Sequence, residues 1–381
     1  MNRQLDRETL AGILQAEDIE GIPFPDLVRL FHEDKDLSRF LPDGVYQIDP
    51  RNGDRIIYHS SRALRPHDNR PPRPAAAESE RECVICQGRT TGVIDIADLS
   101  HGFTFINKNL FPILYPFDAT HSRLWVDGRD QDVRTGMRPA DGFHFLQWTS
   151  SEHDKDWHNM PLSDCVVAMK RLSALEKKLI TDSGEFAAMA GNGDRGFVSI
   201  FKNHGHLVGG SLAHGHQQIV FSNVMPGRVW RNQVFERERG EPFSAFLLRE
   251  NPAELVIKDY GPAILIVPYF MRRPFDMVLV MKAVGKKHLH QLTEAETAAV
   301  AEGWHDAIRV MRTVMPEMGR ETAYNVISNN GPGAGLYFEF LPYTQETGGA
   351  EHLGLIVCQQ NPQDTGAHIR ELMIEGGESN W

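Results

Sequence analysis

The chain runs twice through one outline, and that repetition restricts its fold more than any single motif does. The first pass has a strand near Gly102–Ile106, a turn at Asn109-Leu110-Phe111-Pro112 and a segment carrying His144 and His153. A helix then opens at Ser163, and a strand Phe197–Phe201 ends in Asn203-His204-Gly205. The second pass has strand Ala263–Pro268, turn Arg272-Arg273-Pro274-Phe275, strand Asp276–Met281 and a basic segment with His288. Its helix opens with the capping box Thr293-Glu294-Ala295-Glu296, and its strand Tyr324–Ser328 ends in Asn329-Asn330-Gly331. Hairpins and meanders outnumber crossovers in this outline. It therefore predicts an α+β class of tandem duplicated units, with antiparallel sheets, helices packed on one face and a pseudo-twofold relation.

The predicted boundaries are a helical appendage at 1–44, a first unit at 45–224 and a second at 225–381. In the appendage, Leu10, Ile13 and Leu14, then Leu27, Leu30 and Phe31, recur at helical spacing. A hairpin is expected over Tyr46–Tyr58 around the turn Asp49–Asp54. The proline- and arginine-rich Arg62–Pro74 reads as an extended loop, since prolines remove backbone donors.

Composition removes several function classes. With 51 acidic against 40 basic side chains, the net charge of −11 opposes a phosphate backbone, so no nucleic acid partner is expected. The longest apolar run, Ala263–Met271, is too short to span a bilayer and contains Pro268, so no membrane association is expected. The first seven residues interleave charges where a signal peptide needs an apolar stretch, and the expected location is the cytoplasm. Four cysteines are too few for a disulfide framework, but Cys83 and Cys86 form C-x-x-C, which in a reducing compartment points to metal or redox chemistry. Two thiolates need two further ligands for tetrahedral zinc, and His144, His153, His158 and His214 are the candidates. Cys165 and Cys358 read as core residues, the latter in a strand-like Leu353–Cys358.

The strongest local signal is Ser211-Leu212-Ala213-His214-Gly215-His216-Gln217-Gln218-Ile219-Val220-Phe221. With Gln217–Phe221 as a strand, alternation places His214, His216 and Gln218 on one face at steps of ~7 Å. A single strand histidine is ordinarily structural, but three polar groups in this pattern line a surface. The preceding Asn203–Ser211 stretch is glycine-punctuated and reads either as an anion cradle of backbone amides or as a flexible turn. Gly191-Asn192-Gly193-Asp194-Arg195-Gly196 matches G-x-G-x-x-G but leads into a strand, where a dinucleotide fingerprint must open a helix.

From Tyr46 onward the sequence resembles the galactose-1-phosphate uridylyltransferase-like branch of the histidine-triad superfamily. That branch carries H-x-H-x-Q on its active strand, matched by His214, His216 and Gln218, after an Asn-x-Gly loop and a serine, matched by Asn203, Gly205 and Ser211. The resemblance implies one structural zinc held by Cys83, Cys86, His153 and His214. It implies phosphate-binding arginines at Arg62 and Arg65 before Pro66, and a base-pocket turn at Asn109, Phe111 and Pro112. The glutamate and histidines that hold iron in some members are replaced by Arg228, Asn330, Tyr337 and Glu339, so no iron site is expected. The hexose-phosphate run of the galactose enzymes is replaced by Gln360-Asn361-Pro362-Gln363-Asp364.

The activity implied is nucleotidyl transfer from a nucleotide or nucleotide-sugar donor to a phosphorylated acceptor. His216 would be the nucleophile, with Gln218 and Ser211 beside it. A phosphorylase acting on nucleotide sugars or dinucleoside polyphosphates is the alternative, followed by a hydrolase and by a zinc-stapled binder without turnover. Glutamine in place of a third histidine favours transfer over hydrolysis, because an amide cannot protonate a poor leaving group. A homodimer is left open.

Overall fold

The computed structural model describes residues 4–64, 83–117, 137–184 and 196–378. Its described strands are, in chain order, β1 Val45–Ile48, β2 Arg55–Ile57, β3 Val93–Asp98, β4 Phe103–Lys108, β5 Arg138–Pro139 and β6 Gly142–Trp148. They continue as β7 Phe197–His204, β8 His216–Ser222, β9 Val256–Asp259, β10 Ala263–Ile266, β11 Met277–Met281, β12 Tyr324–Asn329 and β13 Tyr337–Pro342. The class is α+β with antiparallel sheets, as the alternation of hairpins with helices predicted. Arg65 and the glycine-rich Gly191–Gly196 fall wholly or largely outside the described residues.

The chain divides into two compact units that interleave in sequence. The first comprises Met1–His153, Arg171–Ile200 and Gln217–Arg231, and the second comprises Asp154–Lys170, Phe201–His216 and Asn232–Trp381. In the first, strands run in the order β3, β4, β6, β8, beside a small sheet ordered β2, β1, β5. β3 pairs with β4, and β4 with β6, both antiparallel. Tyr46 faces Ile57 across the expected hairpin. All seven residues of β6 are buried, because its aromatic side chains pack among rings: Phe31 meets Phe143 at 5.0 Å and Phe145 at 5.3 Å, edge to face.

The N-terminal residues are stitched into this unit rather than appended loosely. Leu5 donates to the Ser151 carbonyl, and Gln15 to that of Val93, at 3.0 and 2.7 Å. Lys108 is fully buried yet paired, its ammonium 2.8 Å from Asp34 and 2.9 Å from both Gln15 Oε1 and the Leu30 carbonyl. A buried cation with three acceptors ties the helix Phe24–His32 to β4.

In the second unit the strand order is β7, β12, β13, β11, β10, β9, antiparallel at every step. The long helix Glu294–Glu317 starts at the capping box read from the sequence, with Thr293 accepting from the Glu296 amide. Its buried face carries Val300, Trp304, Ile308 and Met311, and Trp304 lies edge-on to Phe338 and Phe340. Gly303 permits this approach: a Cβ there would lie 2.6 Å from Leu279 on β11.

Leu353–Cys358 departs from expectation. It forms no strand, and Leu353 is 82%, Leu355 67% and Val357 60% exposed, while Cys358 is only partly buried. Among the described residues it pairs with no strand; Val357 instead bonds the side chains of Gln345 and Glu351, and its apolar letters therefore do not make it core. Cys165 is core, as expected. Among the described residues no helix is long and apolar enough to cross a membrane.

Candidate functional site

β8 opens at His216, one residue earlier than expected, and His214 lies in the bend before it. Strand alternation therefore relates His216 to Gln218 but does not include His214. Bending the chain here gives the imidazole a partner: His216 Nδ1 lies 2.8 Å from the His214 carbonyl oxygen. A carbonyl can only accept, so Nδ1 carries the proton and the lone pair sits on Nε2. The residue is 5% exposed, and burial, followed by the charge of Lys202, pulls its pKa down to about 4. The ring is neutral at physiological pH, and its Nε2 lone pair has the chemical capacity to attack an electrophile.

Gln218 belongs to a second chain of contacts, within the first unit. Its Oε1 is 3.0 Å from His144 Nε2 on β6. His144 Nδ1 accepts from the Ile113 amide at 3.1 Å, so the Nε2 proton points to Gln218 and fixes the amide oxygen inward. The amide NH₂ remains as the donor end. Asn109 Nδ2 also lies 3.1 Å from His144 Nε2, a close approach of two donors rather than a hydrogen bond in this tautomer. Asn109 Oδ1 accepts from the Phe111 amide at 2.9 Å, a local side-chain turn, and Phe111 packs on Phe40 with ring centroids 4.5 Å apart. Arg62 is half-buried on the short turn Ser60–Leu64, where burial lowers its pKa. His59, which accepts from the Arg62 amide at 3.1 Å, lies beside the backbone at Pro112. The expected phosphate and base residues Arg62, Asn109 and Phe111 thus occupy one neighbourhood, and no sequence spacing predicts that His144 joins it to Gln218.

The glycine loop is built as a closed turn. Gly205 has φ +87, and a Cβ there would lie 2.8 Å from the Thr322 carbonyl oxygen. Gly210 donates to the Gly205 carbonyl at 2.9 Å, and a side chain at Gly210 would meet that same backbone. Asn203 accepts from Asn325 Nδ2 at 2.8 Å, and Ser211 is exposed on the loop.

Of the four histidine candidates for metal, His153 and His214 lie with the cysteine pair. Cys83, Cys86, His153 and His214 each bring one ligand atom within 4.8 Å of the others. Cys86 Sγ and His153 Nδ1 are 3.7 Å apart. The cysteines sit on a tight knuckle in which Arg89 donates to Val84 and Gly88, at φ +65, donates to Ile85, both at 2.9 Å. Two thiols and two imidazoles form a donor set suited to a soft tetrahedral cation. His144 is committed to Gln218, and the His158 ring belongs to neither group.

No protein-family model matches the chain. In sequence it is 20% identical over 346 residues to ADP-glucose phosphorylase of Arabidopsis thaliana, covering 86% of this chain and 92% of that protein. It is 22% identical over 271 residues to galactose-1-phosphate uridylyltransferase of Cryptococcus neoformans, covering 67% of each. In fold it matches a uridylyltransferase structure with a TM-score of 0.64 at 19% identity, across 87% of this chain and 99% of that one. An Arabidopsis thaliana ADP-glucose phosphorylase with bound ADP-glucose superposes with a TM-score of 0.55 at 17% identity, across 86% and 97%.

Proposed function

We propose that this protein, which sits by sequence and fold with the galactose-1-phosphate uridylyltransferase-like branch, is a nucleotidyltransferase working through a covalent nucleotidyl-histidine at His216. The observation that carries the reading is the buried imidazole whose Nδ1 is tied to the His214 carbonyl, leaving Nε2 unprotonated. In the first step Nε2 attacks the α-phosphorus of a nucleotide-sugar donor. The bond from phosphorus to the bridging oxygen breaks, and a hexose 1-phosphate departs with the electron pair. In the second step an oxygen of a phosphorylated acceptor, or of inorganic phosphate, attacks the same phosphorus and releases Nε2. The hexose 1-phosphate leaves as a stable anion and Nε2 leaves as a neutral imidazole, so little proton transfer is required and the main task is stabilising charge on the phosphoryl oxygens. The Gln218 amide, Arg62, Arg65, Ser211 and the loop through Asn203 and Gly205 supply donors for that task, and Asn109 and Phe111 border the base.

Inorganic phosphate is the second acceptor reading, favoured by the similarity to a phosphorylase across 92% of that protein's length. Cys83, Cys86, His153 and His214 would hold one zinc, which bound there would supply structural cross-linking. In this reading residues 45–224 carry the metal and nucleotidylation chemistry and 225–381 the acceptor side.

The test is incubation with radiolabelled UDP-glucose and ADP-glucose and isolation of acid-labile labelled protein. Label is expected on the wild type and none on His216→Gly, which should keep its fold and metal. Near-normal turnover in His216→Gly, or an obligatory ternary complex without labelled protein, would refute double displacement.

A further inference from the structure

Within the second unit a buried ion pair underlies the His-Gly-His bend. Lys202 on β7 is 1% exposed, and its ammonium lies 2.8 and 3.0 Å from the two oxygens of Asp156. It also donates, at 3.1 Å, to the backbone carbonyl of His216. Three acceptors satisfy its three protons. Asp156 is held by its own loop: its amide donates to Asn159 Oδ1 and its Oδ1 accepts from the Trp157 amide, each at 2.9 Å. The Asp156 side chain packs directly on the α-carbon of Gly215, where a Cβ would lie 2.6 Å from Asp156 Cγ.

Stability does not account for this arrangement. Removing an ammonium and a carboxylate from water costs several kcal/mol per ion, and well-packed apolar residues of similar volume are often as stable. The pair does what an apolar pair cannot: it grips the carbonyl of one residue, His216, and closes on the glycine before it. The His216 ring is fixed at its other end by the His214 carbonyl. Backbone and imidazole are therefore both anchored, and Nε2 has little freedom left. In a displacement at phosphorus the nucleophile must sit within a near-attack geometry, and a misplacement of about 1 Å can lower the rate on the order of 100-fold.

We propose that Lys202 and Asp156 form a positioning pair that aims His216 at the reacting phosphorus, acting through the backbone without touching substrate. The inference rests on the reading of His216 as the nucleophile.

The test uses Lys202→Met/Asp156→Leu, which removes both charges at similar volume, together with Asp156→Asn, which keeps hydrogen-bonding partners for Lys202 and Trp157. Donor affinity is measured with ADP-glucose and UDP-glucose, and the single-turnover rate of protein labelling is measured with the better of the two. The double variant should bind the donor within about 3-fold of wild type while its labelling rate falls about 10- to 100-fold. Asp156→Asn should show the same split at roughly 3- to 10-fold, and it decides the matter if the double variant does not fold. Labelling at the wild-type rate, or parallel loss of binding and labelling as from a merely structural role, would overturn the proposal. A wild type that never labels instead removes the nucleophile reading, and this inference with it.

Discussion

Asp276 offers a sharp test of how burial sets stability. It closes the turn between β10 and β11, 4% exposed, after Phe275, which sits in the left-handed region at φ +67. Burial raises its pKa from 3.8 to about 7, against the pull of Arg273, whose Nε is 3.5 Å away, while Glu339 adds to the rise. The folded state thus holds this proton more tightly than the unfolded chain does. Its contribution to stability is fully present below about pH 4 and is lost as pH climbs through 7. The gap between 3.8 and about 7, at about 1.4 kcal/mol per pH unit, amounts to about 4 kcal/mol. Asp276→Asn cannot ionise, so its stability relative to wild type should rise by up to about 4 kcal/mol between pH 4 and pH 8. Urea melts at pH 4, 6 and 8, followed by both circular dichroism and fluorescence with unchanged m-values, measure the difference. Titrating groups that do not interact with Asp276 are common to both chains and cancel. A difference flat within about 0.5 kcal/mol across that range would refute the reasoning.

Metal analysis should find about one zinc per chain and no stoichiometric iron, and Cys83→Ser/Cys86→Ser should lose that zinc with a fall in melting temperature, since a tetrahedral site with two ligands removed does not close. Zinc retained undiminished in that variant would count against the four-ligand assignment. Gly205→Ala should destabilise by about 1–3 kcal/mol, because φ +87 and the Thr322 carbonyl oxygen at 2.8 Å both oppose a side chain, and equal urea midpoints would contradict it. Galactose 1-phosphate should be a poor acceptor, because the resemblance puts Gln360–Asp364 and the apolar Leu355 and Ile356 where polar sugar contacts are expected. A kcat/KM at or above ~10⁴ M⁻¹s⁻¹ for its exchange with UDP-glucose would overturn this.

Much of this is legible in the sequence because the interactions involved are local. The capping box Thr293-Glu296, the hairpin around Asp49–Asp54 and the Asn109–Phe111 turn join groups within a few residues, so spacing alone specifies them. Ligand chemistry was legible as residue type: two cysteines in C-x-x-C demand partners wherever those partners come from. Position was not legible. The period of two suggested that His214 shares a face with His216, yet strand β8 begins only at His216 and the bend turns the His214 carbonyl toward the imidazole. Leu353–Cys358 had strand-like letters, but a strand exists only where another offers its backbone. His144 with Gln218, 74 residues apart, and Lys202 with Asp156, 46 apart, meet only in the folded chain. Sequence carries propensity and chemical capacity, which are properties of a residue and its near neighbours. Which distant donor satisfies which buried acceptor follows from the requirement that every polar group removed from water find a partner, and only the packed tertiary structure decides that.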